Sequence, residues 1–249
     1  MLVAAAVCPC PPLLVPQVAA GAAAELDAAR DACADALGVL AAARPDLLVV
    51  LGPAGPEGEG PYPQGARGSF AGFGVDLEVS LGAAPAGDAA GGGGTAAGDA
   101  PERVLPPSLA VASWLLDRTG WAYAPVAGLG VGEESAAARC AEEGRRLAGR
   151  ADRVALLVMG DGSACRTLKA PGYLDERAEG FDADAARALG AADTAALLAT
   201  DEELARALKV SGRAPWQVLA GAADGAGLGG QLLYEDAPYG VGYFVAAWS

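Results

Sequence analysis

The sequence predicts an α/β domain with a mostly parallel central sheet flanked by helices. Three observations carry that expectation. Short apolar runs recur along the chain, helical patterns separate them, and no compositional break divides the 249 residues into two cores. The whole chain, 1–249, therefore reads as a single domain.

Leu2–Val7 is an apolar run stopped by Pro9, Pro11 and Pro12, as expected of a buried strand. Gln17 to Ala43 is rich in alanine, with Leu26, Ala29, Cys33, Leu37 and Leu40 at three- and four-residue spacing, which predicts one long amphipathic helix. Leu47–Leu51 is a second buried strand, closed by Gly52-Pro53. From Phe73 to Leu81, apolar residues alternate with Asp76 and Glu78, the pattern of a half-buried strand. Residues 83–103 are mostly Ala, Gly and Asp, including Gly91–Gly94; they bring too little apolar surface to order themselves and read as a flexible loop inside the domain. Helical patterns follow at 107–118 and 133–149. Between them, Gly128-Leu129-Gly130-Val131-Gly132 does not have the glycine spacing of a dinucleotide fingerprint, and Gly91–Gly94 lacks the Gly-Lys-Ser/Thr of a phosphate loop; both read as loops. Arg153–Met159 is a third buried strand and runs into Gly160-Asp161-Gly162-Ser163. Helical patterns at 182–190, 193–208 and 215–223, then strands at Gln231–Tyr234 and Val241–Ala247, complete the chain.

Composition removes whole classes of function. Lys and Arg number 17 against 31 Asp and Glu, a formal charge of −14, so nucleic acid and anionic membrane would be repelled at long range. At 53% hydrophobic and 19% charged the chain is too apolar for disorder, yet runs such as Val154–Met159 fall far short of the ~18 residues a membrane span needs. The chain has no histidine, which excludes an imidazole general base, a Ser-His-Asp triad, His-ligated zinc and a two-histidine iron site. Isoleucine and asparagine are also missing, and only Lys169 and Lys209 stand against 15 arginines, the mark of a GC-rich genome. Five cysteines (8, 10, 33, 140 and 165) form an odd set without a Cys-x-x-Cys pair, which fits a reducing compartment. The N-terminal run has no positive flank and meets prolines at once, so it is not read as a signal peptide, and the expected location is the cytoplasm.

In open α/β sheets ligands gather at the carboxyl ends of strands. Four turn-rich segments follow strands here: 8–12, 52–56, 160–165 and 234–240. The first three are expected to converge on one rim if their strands are parallel neighbours. At these segments the chain resembles the class III extradiol ring-cleavage dioxygenases of the LigB-like type, a fold shared with Memo-like proteins. The family's strand followed by Pro-His-Pro-Pro is matched by Pro9-Cys10-Pro11-Pro12, and its Ser-Pro-His-type turn by Gly52-Pro53-Ala54. Its Ser-Gly-Asp-Leu-Ser-His is matched by Met159-Gly160-Asp161-Gly162-Ser163-Ala164, continued by Ala170-Pro171-Gly172-Tyr173 and Phe181-Asp182. Its Tyr-Glu-x-Pro-Phe-Gly-Val-Gly-Tyr close is similar to Tyr234 through Tyr243.

The resemblance implies a ferrous site of two histidines and an acidic residue, with a further histidine as acid/base. The ligand positions fall on Cys10, Ala54 and Glu235, and the acid/base position on Ala164. The resemblance thus implies the fold and argues against the reaction, and no iron cofactor is expected. The candidate pocket comprises Cys10, Ala54, Asp161, Ser163, Ala164 and Glu235. Each has a plainer reading. Cys10 is a small buried residue as readily as a ligand or nucleophile, Asp161 a turn or cap residue, and of the adjacent Glu235 and Asp236 only one can face inward. A soft-metal site of Cys8, Cys10 and Cys165 would lack a fourth ligand and the usual spacing. The favoured function is an iron-free homologue that binds a small molecule or a protein partner, with a homo-oligomer also compatible. The alternatives are an enzyme with histidine-independent chemistry in the same pocket and a family-typical aromatic ring-cleavage dioxygenase.

Overall fold

The computed structural model describes residues 1–82 and 103–249, so of the loop expected at 83–103 only Arg103 falls among the described residues. The elements follow from the N-terminus. Strand β1 (Leu2–Cys8) ends at Pro9, and a 3-10 turn at Pro12–Leu14 leads into the short helix α1 (Pro16–Ala19). A 3-10 stretch at Ala20–Leu26 then precedes α2 (Asp27–Ala42). The long helix expected over Gln17–Ala43 is therefore broken. The break falls at Ala20, whose φ of 50° and ψ of −118° leave the helical region. Arg30, buried at 2% exposure, holds the irregular turn by donating to the Leu14 and Ala23 carbonyls and pairing with Asp27 at 2.6 Å. A charge placed there needs acceptors, and one of them, the Ala23 carbonyl, is one that a continuous helix would have used itself.

Strand β2 (Leu47–Ala54) is followed by three short strands, β3 (Gly60–Tyr62), β4 (Arg67–Ser69) and β5 (Glu78–Ser80). The strand expected from Phe73 to Leu81 shrinks to β5, because Ala71–Phe73 forms a 3-10 turn closed by Gly74 at φ 80°. Helix α3 (Pro107–Thr119), strand β6 (Val126–Gly132), helix α4 (Ala137–Ala148) and strand β7 (Val154–Met159) come next. The remainder is α5 (Arg177–Gly190), α6 (Thr194–Leu198), α7 (Glu202–Ala207), α8 (Arg213–Ala222), β8 (Gly230–Asp236) and β9 (Tyr243–Trp248). The helix read at 193–208 is two helices, each started by an aspartate: Asp193 accepts from the Ala196 N–H, and Asp201 from those of Glu203 and Leu204.

Seven strands form one sheet in the order β3-β6-β2-β7-β1-β9-β8, and β4-β5 is a separate pair. The four inner strands β6, β2, β7 and β1 are parallel, while β3 and β9 are antiparallel to their neighbours. This is the mostly parallel α/β fold that the sequence predicts, with Leu2–Val7, Leu47–Leu51 and Arg153–Met159 on adjacent strands. Alternation along the parallel strands sends Ala6, Cys8, Val50, Leu157 and Met159 to a layer shared with α2 and α3. Val7, Val49, Leu51, Leu156 and Val158 go to the opposite layer, shared with α4, α5 and α8. Both faces are buried, which is why these strands read as continuous apolar runs. Among the described residues no helix is long and apolar enough to cross a membrane.

Residues Gly128–Gly132, expected as a loop, form the core of β6. The glycines recur with period two, so all face one side of the strand. A Cβ at Gly130 would lie 2.0 Å from the Gly58 carbonyl oxygen and one at Gly128 2.7 Å from Leu81 Cδ2. The chain around β3 therefore lies directly on a stretch of β6, from Gly128 on, that has no side chains on that face.

Helices α4 and α8 cross through a similar device. A Cβ on Gly144 would fall 2.0 Å from the Val218 carbonyl oxygen, and one on Gly221 2.2 Å from that of Ala141. Gly144→Ala is expected to lower stability by about 1–3 kcal/mol, since backbone must move to admit the methyl. Gly38→Ala, in the interior of α2 with nothing within 4 Å, should be neutral or gain about 0.5–1 kcal/mol. Thermal unfolding followed by circular dichroism compares the two, and equal effects would contradict the crossing geometry.

Candidate functional site

Parallel neighbours in register leave the sheet side by side. Cys8 pairs with Met159, so the residues two positions on, Cys10 and Asp161, meet: the Cys10 N–H donates to Asp161 Oδ1 at 2.8 Å. A third segment comes from the turn before α8. The Asp161 N–H donates to Ser211 Oγ at 3.1 Å, and the Gly212 N–H to the Asp161 carbonyl at 2.9 Å. This contact requires glycine twice, because a Cβ on Gly160 would sit 2.5 Å from Gly212 Cα and one on Gly212 would enter the Trp216 ring. The rim thus gathers a thiol, a carboxyl and a hydroxyl.

The electrostatics follow from burial. Asp161 keeps part of its surface open, but the dense protein around it makes the charged form costly and pushes its pKa up to about 7; the Cys10 N–H opposes the rise. Burial also raises the Cys10 thiol well above its ordinary value, helped by the charges of Asp161 and Glu133 and opposed by the Ser211 hydroxyl. The Tyr243 hydroxyl is raised by burial first, then by Asp161 and Cys10. Glu133, just beyond β6, is raised by burial and by Glu134, with Arg213 acting against it. At neutral pH Cys10 and Tyr243 are therefore uncharged, whereas Asp161 is divided between acid and carboxylate. The arrangement can accept or donate a proton at Asp161; it does not prepare a thiolate nucleophile.

The other residues proposed from sequence take no part in this hydrogen-bonded contact. Ala54 ends β2 opposite Gly132 and is packed against Gly58, under the turn closed by the Gly58 N–H to Gly55 carbonyl bond of 2.8 Å. Ser163 has no exposed surface; its N–H and its hydroxyl both donate to Asp182, each at 2.7 Å, and Arg166 adds a bond of 3.2 Å to the same carboxylate. Ser163 thus serves as an anchor for the turn. Ala164 contributes backbone bonds alone, donating to the Leu208 carbonyl and accepting from Gly172 N–H. Glu235 lies opposite Phe244 on the edge strand β8, exposed, with β9 between it and β1. Asp236 is exposed as well, so neither of this acidic pair faces the rim.

The cysteines do not assemble into a site. Cys8 lies against Cys33 in the α2 layer, while Cys165 belongs to the opposite layer and reaches the Leu208 carbonyl at 3.5 Å. Among the described residues no group of three Cys, Asp or Glu side chains could hold a metal ion. Ferrous iron does not fit the positions implied by the resemblance: Ala54 has no donor atom and Glu235 stands in solvent on the edge strand.

Sequence reasoning missed Ser211, Tyr243 and Glu133. Ser211-Gly212 lies between two helical patterns, and a Ser-Gly pair there was a turn signal. Tyr243 closes the C-terminal motif without a role attached to it. Glu133 follows Gly128–Gly132, whose period-two glycines, read as a strand, would have placed it at a strand's carboxyl end.

No protein-family model matches the chain, and no curated protein matches it in sequence. In three dimensions it is similar to the crystal structure of an uncharacterized protein, JW3007 from Escherichia coli K12, with a TM-score of 0.53 and 17% identity over 99% of each chain. At that identity the likeness is one of fold.

The raised pKa of Asp161 has a stability consequence. Between its unfolded value of about 3.9 and about 7, the folded chain keeps a proton that the unfolded chain has released, so stability falls as pH rises through that window and levels off above it. Asp161→Asn keeps a carbonyl oxygen for the Cys10 N–H and removes the titration. The variant should be more stable than the parent at pH 8 by about 2–4 kcal/mol, and the gain should vanish near pH 4. Urea unfolding at both pH values checks this, and a gain of the same size at each would contradict it.

Proposed function

We propose that this chain is an iron-free relative of the class III extradiol dioxygenase scaffold and binds a small molecule at the rim formed by Cys10, Asp161, Ser211 and Tyr243. The observation that carries the reading is Asp161, held at the ends of two parallel strands by the Cys10 N–H at 2.8 Å with its pKa pushed up to about 7. The one hydrogen bond from the Cys10 N–H does not offset the cost of burying this charge, and such groups cluster where ligands bind. The reading of an iron-free protein rests on the donor set: no histidine, alanine at position 54 and an exposed Glu235. Five buried free cysteines agree with a cytoplasmic setting.

A second reading is favoured by the same pKa. A carboxyl titrating near neutrality is suited to general acid/base work, so Asp161 could move a proton in histidine-independent chemistry. The two differ in outcome, since catalysis would follow a pH profile with a midpoint near 7 and disappear in Asp161→Asn.

Protein purified anaerobically without added metal should hold well under one iron per chain and leave catechol rings intact. The variant Cys10→His with Ala54→His and Ala164→His should gain iron affinity before any activity, because outer-shell partners alone are typically worth ~10–100-fold in metal affinity and this variant restores direct donors. Elemental analysis and ring-cleavage assays read both. Stoichiometric iron with ring opening in the unmodified protein would overturn the proposal. A fragment screen by amide NMR should give shifts at Cys10, Asp161 and Ser211 that follow pH about 7 and weaken in Asp161→Asn; fragments that shift only other regions would remove the rim from consideration.

A further inference from the structure

The segment after Ser163 and the turn joining β8 to β9 enclose a groove of about 690 Å3. Its position is set by two fixed points. The Arg166 N–H donates to the Gly240 carbonyl at 3.0 Å, and the Arg166 guanidinium is held from behind by the buried Asp182 at 3.2 Å. The walls combine two cations, Arg166 and Lys169, with the apolar surfaces of Leu168, Leu174, Pro238 and Tyr239. No acidic side chain lines it, on a protein with 31 acidic residues and a net charge of −14. Both lysines of the chain flank this one segment, since the stem of Lys209 passes 3.3 Å from the place of a Cβ on Gly172. Three carboxylates stand around the groove: the buried Asp182 behind Arg166 at 3.2 Å, Glu179 at 3.8 Å from Arg166 and 84% exposed, so that solvent screens it, and Glu25 near the Tyr239 hydroxyl. Among the described residues Lys169 is the lining cation that no carboxylate pairs.

The apolar wall is also unusual in what it leaves uncovered. Leu168 is 62% exposed and Leu174 44%. Exposed apolar side chains beside fixed cations are matched by a molecule with both a charge and a hydrocarbon body.

We infer that this groove binds a small organic anion with a hydrocarbon body, its charged head at Arg166 and Lys169 and its body along Leu168, Leu174, Pro238 and Tyr239. The volume lies in the range of small-molecule sites. The protein's charge of −14 opposes approach to an extended anionic surface, which leaves a soluble monoanion as the occupant. The inference stands on this groove alone and does not depend on what binds beside Asp161.

Octanoate, titrated into isotope-labelled full-length protein and read by amide NMR, tests it. Shifts are expected at Thr167–Lys169, Leu174 and Tyr239–Gly240. 1-Octanol, the neutral counterpart, should bind more weakly, and added salt should narrow the difference. Lys169→Glu should weaken octanoate about tenfold and leave octanol unchanged. Leu168→Asp should weaken both. Equal affinity for octanoate and octanol, an unchanged octanoate affinity in Lys169→Glu, or shifts confined to other regions would overturn the inference. So would binding to phosphatidylglycerol vesicles without binding of monomeric octanoate. Loss of the octanoate shifts with pH-dependent fragment shifts intact at Asp161 would refute this groove and leave the rim reading standing.

Discussion

Parallel pairing of β1 with β7 sets Cys8 beside Met159, and both chains then leave the sheet in step. The next residues to point the same way are Cys10 and Asp161, joined by a hydrogen bond that neither strand could form within the ladder. The turn carrying Ser211 completes the arrangement because glycine at 160 and at 212 lets two backbones touch. Register, a backbone contact and one carboxylate bond thus build the rim with few side chains. Ala54 is separated from Cys10 because β7 stands between β1 and β2 in the sheet, and its methyl packs on Gly58 and beside Gly130.

Electrostatically, the rim is a place where a strongly acidic protein encloses Asp161 without an ion pair among the described residues. Arg213, buried at 4% exposure, spends its donors on the carbonyls of Glu133 and Ser135 and on Gln217. Its charge lowers the pKa of Glu133, yet it forms no ion pair with Asp161 among the described residues. Burial therefore governs, and it acts on every ionisable group there in the same direction. Cys10 and Tyr243 begin from high ordinary values and leave the physiological range, whereas Asp161 begins low and is carried into it.

The features legible in the sequence were those expressed by neighbours along the chain. Three buried strands, their order of following turns and the position of Asp161 beyond a strand end all depend on apolar runs broken by glycine and proline. What depended on contacts across the chain was not legible. Arg30 holds the turn where the helix breaks by reaching carbonyls 7 and 16 residues away. Strand β6 looked like a loop because its partners, not its own composition, give its glycines a place. Ser211 meets Asp161 from 50 residues away, with no local periodicity to announce it. Ser163 and Glu235 stand in recognisable motifs, and only their surroundings, the buried Asp182 and the edge of the sheet, decide what they do.

The carboxylate of Asp182 fastens one short turn at Ser163 and packs against Gly162 and Gly242, so the chain after β7 is divided at that point. Upstream of the fastening, the path of residues 160–163 is dictated by backbone contacts that tolerate little drift. Downstream, residues such as Leu168, Lys169 and Leu174 are exposed and answer to few neighbours. Descendants of this sequence could therefore exchange the side chains of the outer segment one by one while the turn bearing Asp161 keeps its place. A rivet of that kind lets the outer surface vary on a scaffold whose strand-end turn does not have to be rebuilt.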